Sequence, residues 1–532
     1  MIARKARAAS ETLKNTMKIK SLLFAITCVL MQHAVRGDTL VPGGPVMGLW
    51  SLAGSPYLVQ SNISIPSGAQ LTIEPGVTVK FQANTSLQIT GSMVAQGTFT
   101  NRIAFTSAAQ VPAPYDWQGI SVQSGGPRTV LDYVEIAYAR TGLMISGDDS
   151  QVTLSHSDLH HCSSDGVDVF TRGGEYVDPL DVVIVQNSIH HSRCGIRIEA
   201  FSSETGSIAN PTVEQNDIYA NTYGIYASAS SCVFCFARSS SAQGVISHNL
   251  LRENMVGLVG GASGRGNVSP YSSNNSFLKN TNNGIELGGG GTFVNNLVIA
   301  NGENGIKLGG SSYATVVNNT IAANGSAGFN HDSGFNGYFR NNIVVSNGAG
   351  IRCTSLYTPA TSGPPAFRTN IIAFNNVTAN VSGNWSNYPA AYGSLTTTNF
   401  NGTTADTEGN ISVNPQFIGA GDYHLQATSA CVNAGTTNST PSTDFDGQPR
   451  FTPSDIGAYE LQPRFQFGAP ARQPNGSLQW LVAVQGAYVF TIQRSSNLTT
   501  WTNVAVVTNL SGAVTFSTYS TNGPRAFFRA VP

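Results

Sequence analysis

One pattern constrains this chain more than any other. Two asparagine columns recur at a fixed interval of five residues: Asn216/Asn221, Asn249/Asn254, Asn275/Asn280, Asn296/Asn301, Asn319/Asn324, Asn342/Asn347 and Asn370/Asn375. A Gly-apolar step accompanies them, with glycines at 142, 166, 195, 224, 257, 284, 305, 328 and 350, so the repeat runs from 21 to 33 residues. Units this short cannot bury an apolar face alone and must stack. Glycine and β-branched residues punctuate them too often for helices of ten residues. Short alternating strands joined by Gly/Asn bends fit instead, one coil per repeat. Asparagine tolerates left-handed backbone, and its amide can bond from rung to rung. Parallel crossovers are nearly always right-handed, which sets the expected hand. In the rung at Gly195 the inward residues should be Ile189, Ile196 and Ile198.

The same texture starts earlier, in LTIEPGVTVKF (71–81), SLQITGSMVAQG (86–97) and WQGISVQSG (117–125). These segments, with the repeats, resemble the right-handed parallel β-helix (pectate-lyase-like) superfamily as it occurs in secreted bacterial proteins. VNPQFIGAGDYHLQATSACVNAG, DFDGQPR and DIGAYE, within 409–460, are similar to the closing segment of such proteins. The resemblance implies an all-β chain: a β-helix over 38–395, a closing segment over 396–462 and a small C-terminal β-sandwich over 463–532. Pro463, Pro470 and Pro474 mark a linker there, and LQWLVAVQ, AYVFTIQRSS, AVTFSTY and RAFFRAV alternate as strands.

Composition narrows the partners. Charged residues are 11% of the 532, too few for a coiled coil, while 41% hydrophobic content argues against disorder. No basic surface suggests nucleic acid. The first twenty residues hold six Lys or Arg, and the apolar run Leu22–Met31 follows, then Val35-Arg36-Gly37. This reads as a secretory signal peptide over 1–37, with the mature chain starting near Asp38. The run is too short to span a bilayer. Its removal takes seven basic and one acidic residue from totals of 28 and 29, leaving a net charge of −7. The expected protein is secreted or on the cell surface, monomeric, and without a membrane span. Cys232 and Cys235 are expected to form a local disulfide, since export permits one.

The strand after each glycine should expose the residue two positions on. That column reads Met144, Asp168, Arg197, Tyr226, Val259, Glu286, Lys307, Asn330 and Arg352. Its acids, bases and aromatic residue suit a polysaccharide or cell-surface glycan. Substrate contacts are expected from Arg197, Tyr226, Glu286 and Asn330. Two chemistries fit the catalytic candidates. Hydrolysis would use Asp168 and Glu199, one rung and two residues apart, as an acid and base pair. Elimination would use Lys307 as base and Arg352 or Arg197 as the cation for a uronate carboxylate. SSDGVDVF resembles the GDDGIDV-type strand of polygalacturonase-like hydrolases, but only one Asp precedes its Gly and no GHG or RIK motif occurs, against that activity. A display or adhesion scaffold with ladder ion pairs, such as Glu286 with Lys307, fits the same column.

Neither chemistry requires a cofactor. Calcium on carboxylates is one candidate ion. A transition metal is the other, because His160-His161 and His190-His191 occupy matched places in adjacent coils. That placement is also what a metal-handling periplasmic β-helix would show.

Overall fold

The computed structural model describes residues 37–531, apart from 124–125, 147–148, 174–179, 203–205, 232–238, 310–312, 333–334, 336, 357–370, 439, 485–487, 510–512 and 520–525. The leader expected over 1–37 therefore lies outside the described residues except for Gly37, and so does the pair Cys232/Cys235.

Short strands wind into three long parallel sheets of 14, 14 and 13 strands. The first sheet runs from Thr39–Val41 to Asn376–Thr378, the second from Gly44–Pro45 to Trp385–Ser386, the third from Gly48–Trp50 to Ile371–Ala373. Each coil contributes one strand to each sheet, the arrangement of a right-handed parallel β-helix. Alternation does the sorting: one side of every strand points into the coil. Ile189, Ile196 and Ile198 are all 0% exposed, as their positions predict. Aromatic residues fill the axis, and Phe81 stacks on Trp117 with centroids 4.0 Å apart.

The asparagine columns run as two hydrogen-bonded ladders. In the first, the Asn296 backbone N–H and Nδ2 donate to Asn319 Oδ1 at 2.8 and 3.0 Å, and Asn319 repeats this toward Asn342. The same linkage joins Asn187 to Asn216 at one end and Asn375 to Asn410 at the other. Two expectations need correcting. The left-handed residue of each bend precedes the ladder asparagine: φ is 54° at Asn295 and 56° at Ala300, for example. The ladder asparagines serve as hydrogen-bonding residues instead. The last pair is also shifted by five: Asn375 bonds into the first ladder and Asn380 into the second, where Asn370/Asn375 was expected. Glycine at the repeat step gives close approach. A Cβ on Gly305 would lie 2.7 Å from Gly328 O and 2.9 Å from Asn324 Nδ2.

Asn319→Leu should therefore cost on the order of 1–3 kcal/mol, because the Asn296 N–H and the Phe293 carbonyl lose their buried partner. Urea unfolding midpoints check this, and a shift no larger than that of an exposed loop substitution would refute it.

The segment after Ser386 does not simply continue the stack. It folds back along the outer face of the first sheet, where Ile299, Ala322 and Val345 pack with Leu425, Val432 and Ile456. A third asparagine column holds it: Asn274, Asn295, Asn318 and Asn341 donate to the carbonyls of Asp444, Thr443, Asp455 and Thr436 at 2.8–2.9 Å. Beyond it, two small antiparallel sheets enclose Trp480, Val482, Phe490, Ile492 and Phe516. Trp480 is thus a core residue of the C-terminal sandwich.

Candidate functional site

The second sheet carries the predicted column, rung on rung. Its register pairs Met144 with Asp168, Asp168 with Arg197, Arg197 with Tyr226, Tyr226 with Val259, and Val259 with Glu286. Glu286 then pairs with Lys307, Lys307 with Asn330, and Asn330 with Arg352. The column splits into two polar groups, with Val259 between them.

The first group is centred on Arg197. Its Nε donates to Asp165 Oδ1 at 3.3 Å, one Nη donates to Glu199 Oε2 at 3.4 Å, and the guanidinium lies 5.6 Å from the Tyr226 ring centroid. Asp165 is buried and also accepts from Ser164 Oγ at 2.7 Å. Asp168 stands beside them with a buried Oδ1 that has no hydrogen-bond partner. Burial, then repulsion from Asp165, pushes its carboxyl up to about 7, Glu199 adds to the rise and Arg197 opposes it. Three carboxyl groups and one guanidinium thus share a site in which one acid holds its proton near neutral pH. Asp165, Asp168 and Arg197 border a cleft of about 450 Å³ lined also by Gln88, Gln118 and Arg140, and Glu199 stands outside its lining, joined to it through Arg197. This cleft lies on the N-terminal side of Asp168. The described extra residues of the rungs after Gly195, Gly224 and Gly257 do not line it; they form a small parallel sheet of Ser207–Ala209, Ser240–Ala242 and Asn267–Val268, one strand from each rung. Arg140 was missed from sequence because it precedes Gly142 and so falls outside the plus-two column. Asp165 is visible there only through the SSDG motif.

The second group is more fully paired. Lys307 Nζ binds Glu286 Oε1 at 2.7 Å, and Glu286 Oε2 accepts from Asn283 at 2.7 Å. Arg352 reaches back two coils to Asn304 Oδ1 and meets Ser326 Oγ, both at 3.2 Å. Asn330 between them is buried, and its Oδ1 lacks a partner. Lys307 and Arg352 are two rungs apart, as expected, but each is engaged by neighbours on the face itself.

The four histidines stack as their matched places predict. His160 lies on His190 with centroids 5.2 Å apart, and His161 on His191 at 5.0 Å. His160 Nε2 meets Glu135 at 3.2 Å and His190 Nε2 meets Asp158 at 3.0 Å. Within each pair the two Nδ1 atoms are 2.9 and 2.6 Å apart, so one donates to the other. Among the described residues no group of three or more His, Cys, Asp or Glu is arranged to hold a metal ion, the four histidines included. The described cysteines 162, 194, 353 and 431 are buried free thiols.

Desolvation, then the neighbouring imidazoles, hold His161 and His191 below the usual histidine value. The unfolded chain therefore takes up protons first on acidification. Their contribution to stability is intact above the unfolded value and is lost as pH falls through the folded values. NMR titration should place both below free histidine, and His161→Asn with His191→Asn should flatten that part of the pH–stability curve. A titration of both rings at or above the free value would contradict this.

The stacked sheets and their register define a right-handed parallel β-helix protein. Residues 117–297 and 259–363 match the family model for a right handed beta helix region. A 71-residue stretch is 41% identical to Protein bark beetle of Drosophila melanogaster, spanning 13% of this chain and 2% of that protein. Among solved structures, the periplasmic alginate epimerase AlgG aligns at 15% identity over 65% of this chain and 84% of its own, with a TM-score of 0.40. The A-module of the mannuronan C-5 epimerase AlgE6 from Azotobacter vinelandii aligns at 13% identity over 71% and 92%, with a TM-score of 0.20. No helix among the described residues is long and apolar enough to cross a membrane.

Proposed function

We propose that this is an exported, monomeric β-helix protein that binds a polysaccharide along the outer face of its second sheet and hydrolyses it at the Asp168 cleft. The observation that carries the reading is the state of Asp168: a carboxyl raised to about 7, in a cleft, beside two further carboxyl groups. Hydrolysis of a glycosidic bond needs one carboxyl to protonate the leaving oxygen and one carboxylate to activate water. Asp168 is the acid in this reading and Glu199 the base. One rung plus two residues separates their backbones by roughly 8 Å, and an inverting pair needs its carboxyl groups about 6.5–9.5 Å apart to leave room for the water. Arg197 and Tyr226 contact the sugar, and Glu286, Lys307, Asn330 and Arg352 continue the binding face. Elimination through Lys307 is less well supported, because its ammonium is held by Glu286 at 2.7 Å. Export is supported by the basic start and the apolar run Leu22–Met31, with the mature chain beginning near Asp38.

A panel of acidic and neutral glycans tests the reading. New reducing ends without ultraviolet-absorbing products are the expected result. Unsaturated products would replace hydrolysis by elimination. Binding without products would favour a scaffold, a reading that the continuous asparagine ladders and the Glu286–Lys307 pair also suit.

A further inference from the structure

Arg340 ends the strand Tyr338–Arg340 of the third sheet, on a different side of the coil from the column above. The residue is 8% exposed. Its guanidinium sits 4.5 Å from the Tyr338 ring centroid, and Nε is buried without a hydrogen-bond partner. Among the described residues no carboxylate forms an ion pair with it. Burial of an unmatched charge is costly, and burial indeed works against this one.

Arg340 lines a cavity of about 520 Å³ between the last coils and the segment that folds back over them. Two acids share the wall, and neither neutralises it. Asp406 is spent on the bend it holds: Oδ1 accepts from the Glu408 and Asn410 N–H groups and Oδ2 from the Gly393 N–H, all at 2.9 Å. Burial, then Asp406, holds the Glu408 carboxyl above its ordinary range. At the mouth, Phe374 and Phe400 stack in parallel with centroids 5.1 Å apart, and Phe400 stays 61% exposed. The shelf is preformed. Phe374 holds φ at 56°, and a Cβ on Gly409 would come within 2.7 Å of its ring. Thr397 Oγ1 and Asn399 Nδ2 donate to the carbonyls of Asp406 and Gly409, which leaves their side-chain oxygens to accept on the cavity wall.

These parts select a ligand. A buried guanidinium calls for an anion with planar oxygens. An exposed aromatic face suits the C–H face of a sugar ring. Two acids in the wall disfavour a dianion such as phosphate. We propose that this cavity binds one unit of an acidic sugar, a uronate, with its carboxylate on Arg340, its ring on Phe400 and its hydroxyls toward Thr397, Asn399 and Glu408. The site lies about six coils from Asp168, and it stands whether or not that cleft cuts a chain.

Calorimetry and saturation-transfer NMR on the mature protein test it, with glucuronate, galacturonate, glucose, galactose and inorganic phosphate as probes. A uronate should bind at least tenfold more tightly than its neutral counterpart and than phosphate. Arg340→Met should lower uronate affinity at least tenfold while raising the thermal midpoint, since it removes an unmatched buried charge. Arg340→Lys, which keeps charge and loses the fork, should also weaken binding. Phe400→Ala should weaken it several-fold at an unchanged midpoint. Uronate should shift the ring resonances of Phe374 and Phe400, which separates this site from the cleft. Equal binding of uronate and neutral sugar, phosphate binding as tightly as uronate, unchanged affinity in the Arg340 variants, or a lower midpoint in Arg340→Met would each overturn the proposal.

Discussion

Asp168→Asn is expected to lower turnover by about 10²–10⁴-fold, the usual contribution of a positioned general acid. The substitution keeps the size of the side chain and removes only the transferable proton. Asp168 can hold that proton near neutral pH because of where it sits. Burial disfavours the carboxylate, Asp165 and Glu199 repel it, and Arg197 is shared with both of those acids. Activity should therefore fall as pH rises through about 7, where the acid ionises. The same group has a stability signature of known sign. Its folded value lies above the ordinary aspartate value of 3.8, so the native state keeps a proton that the unfolded chain has released. Its contribution is fully present below the unfolded value and is lost as pH rises toward the folded one. The Asn variant is spared that loss. Its thermal midpoint should exceed wild type at pH 8 and draw level with it near pH 4. Reducing-end assays and melting curves across pH read both effects. Undiminished turnover in Asp168→Asn would remove the acid from the mechanism. A midpoint lowered at every pH would make Asp168 a structural residue.

The fold was legible because a solenoid repeats its constraints. Every coil states the same alternation, so the inward isoleucines and the rung-on-rung order of Asp168, Arg197 and Tyr226 follow from period two and a counted repeat. What repetition does not encode was harder to read. A five-residue interval also fits Asn370/Asn375 by coincidence, and the insertion in that rung hid the shift to Asn375/Asn380. The left-handed residue beside each ladder is Asn in some coils and Gln, His, Phe, Ala, Ser, Glu or Lys in others, so residue type did not mark it. In the candidate site, Asp168 and Glu199 look equivalent on paper. They differ only because the Asp168 Oδ1 is buried while Glu199 is bound by Arg197. Arg340 belongs to the third sheet, which the glycine count does not index. Its isolation depends on a segment folding back from more than fifty residues later.

That returning segment should come loose when Arg450 is replaced by Met, at a cost of about 3–5 kcal/mol, the scale for breaking a buried ion pair. DFDGQPR and DIGAYE, read in the sequence only as a resemblance, meet here. One Nη of Arg450 donates to Glu460 Oε2 at 3.0 Å, and the other to Asn295 Oδ1, Gly457 O and Ala458 O at 2.8–2.9 Å. The pair is almost wholly buried, with side-chain exposures of 2% and 0%. Asp444 and Asp455 are buried close by, and each caps backbone N–H groups: Asp444 takes that of Glu460 and Asp455 those of Asn433 and Leu461. One guanidinium therefore serves three buried acids and ties them to Asn295 on the solenoid. Burial pushes Asp455 and Glu460 up even with Arg450 present. Without it the charge is stranded, and the acids must take up protons or leave the core. Arg450→Met should thus be less damaging at acidic than at neutral pH. Adding Glu460→Met should restore part of the loss, since an apolar pair removes both the charge and its missing partner. Chemical unfolding gives the magnitude, and limited proteolysis shows whether 396–462 opens before the coils. A loss below 1 kcal/mol, or no recovery in the double variant, would mean that the third asparagine column and the apolar packing on the first sheet hold the segment in place without this ion pair.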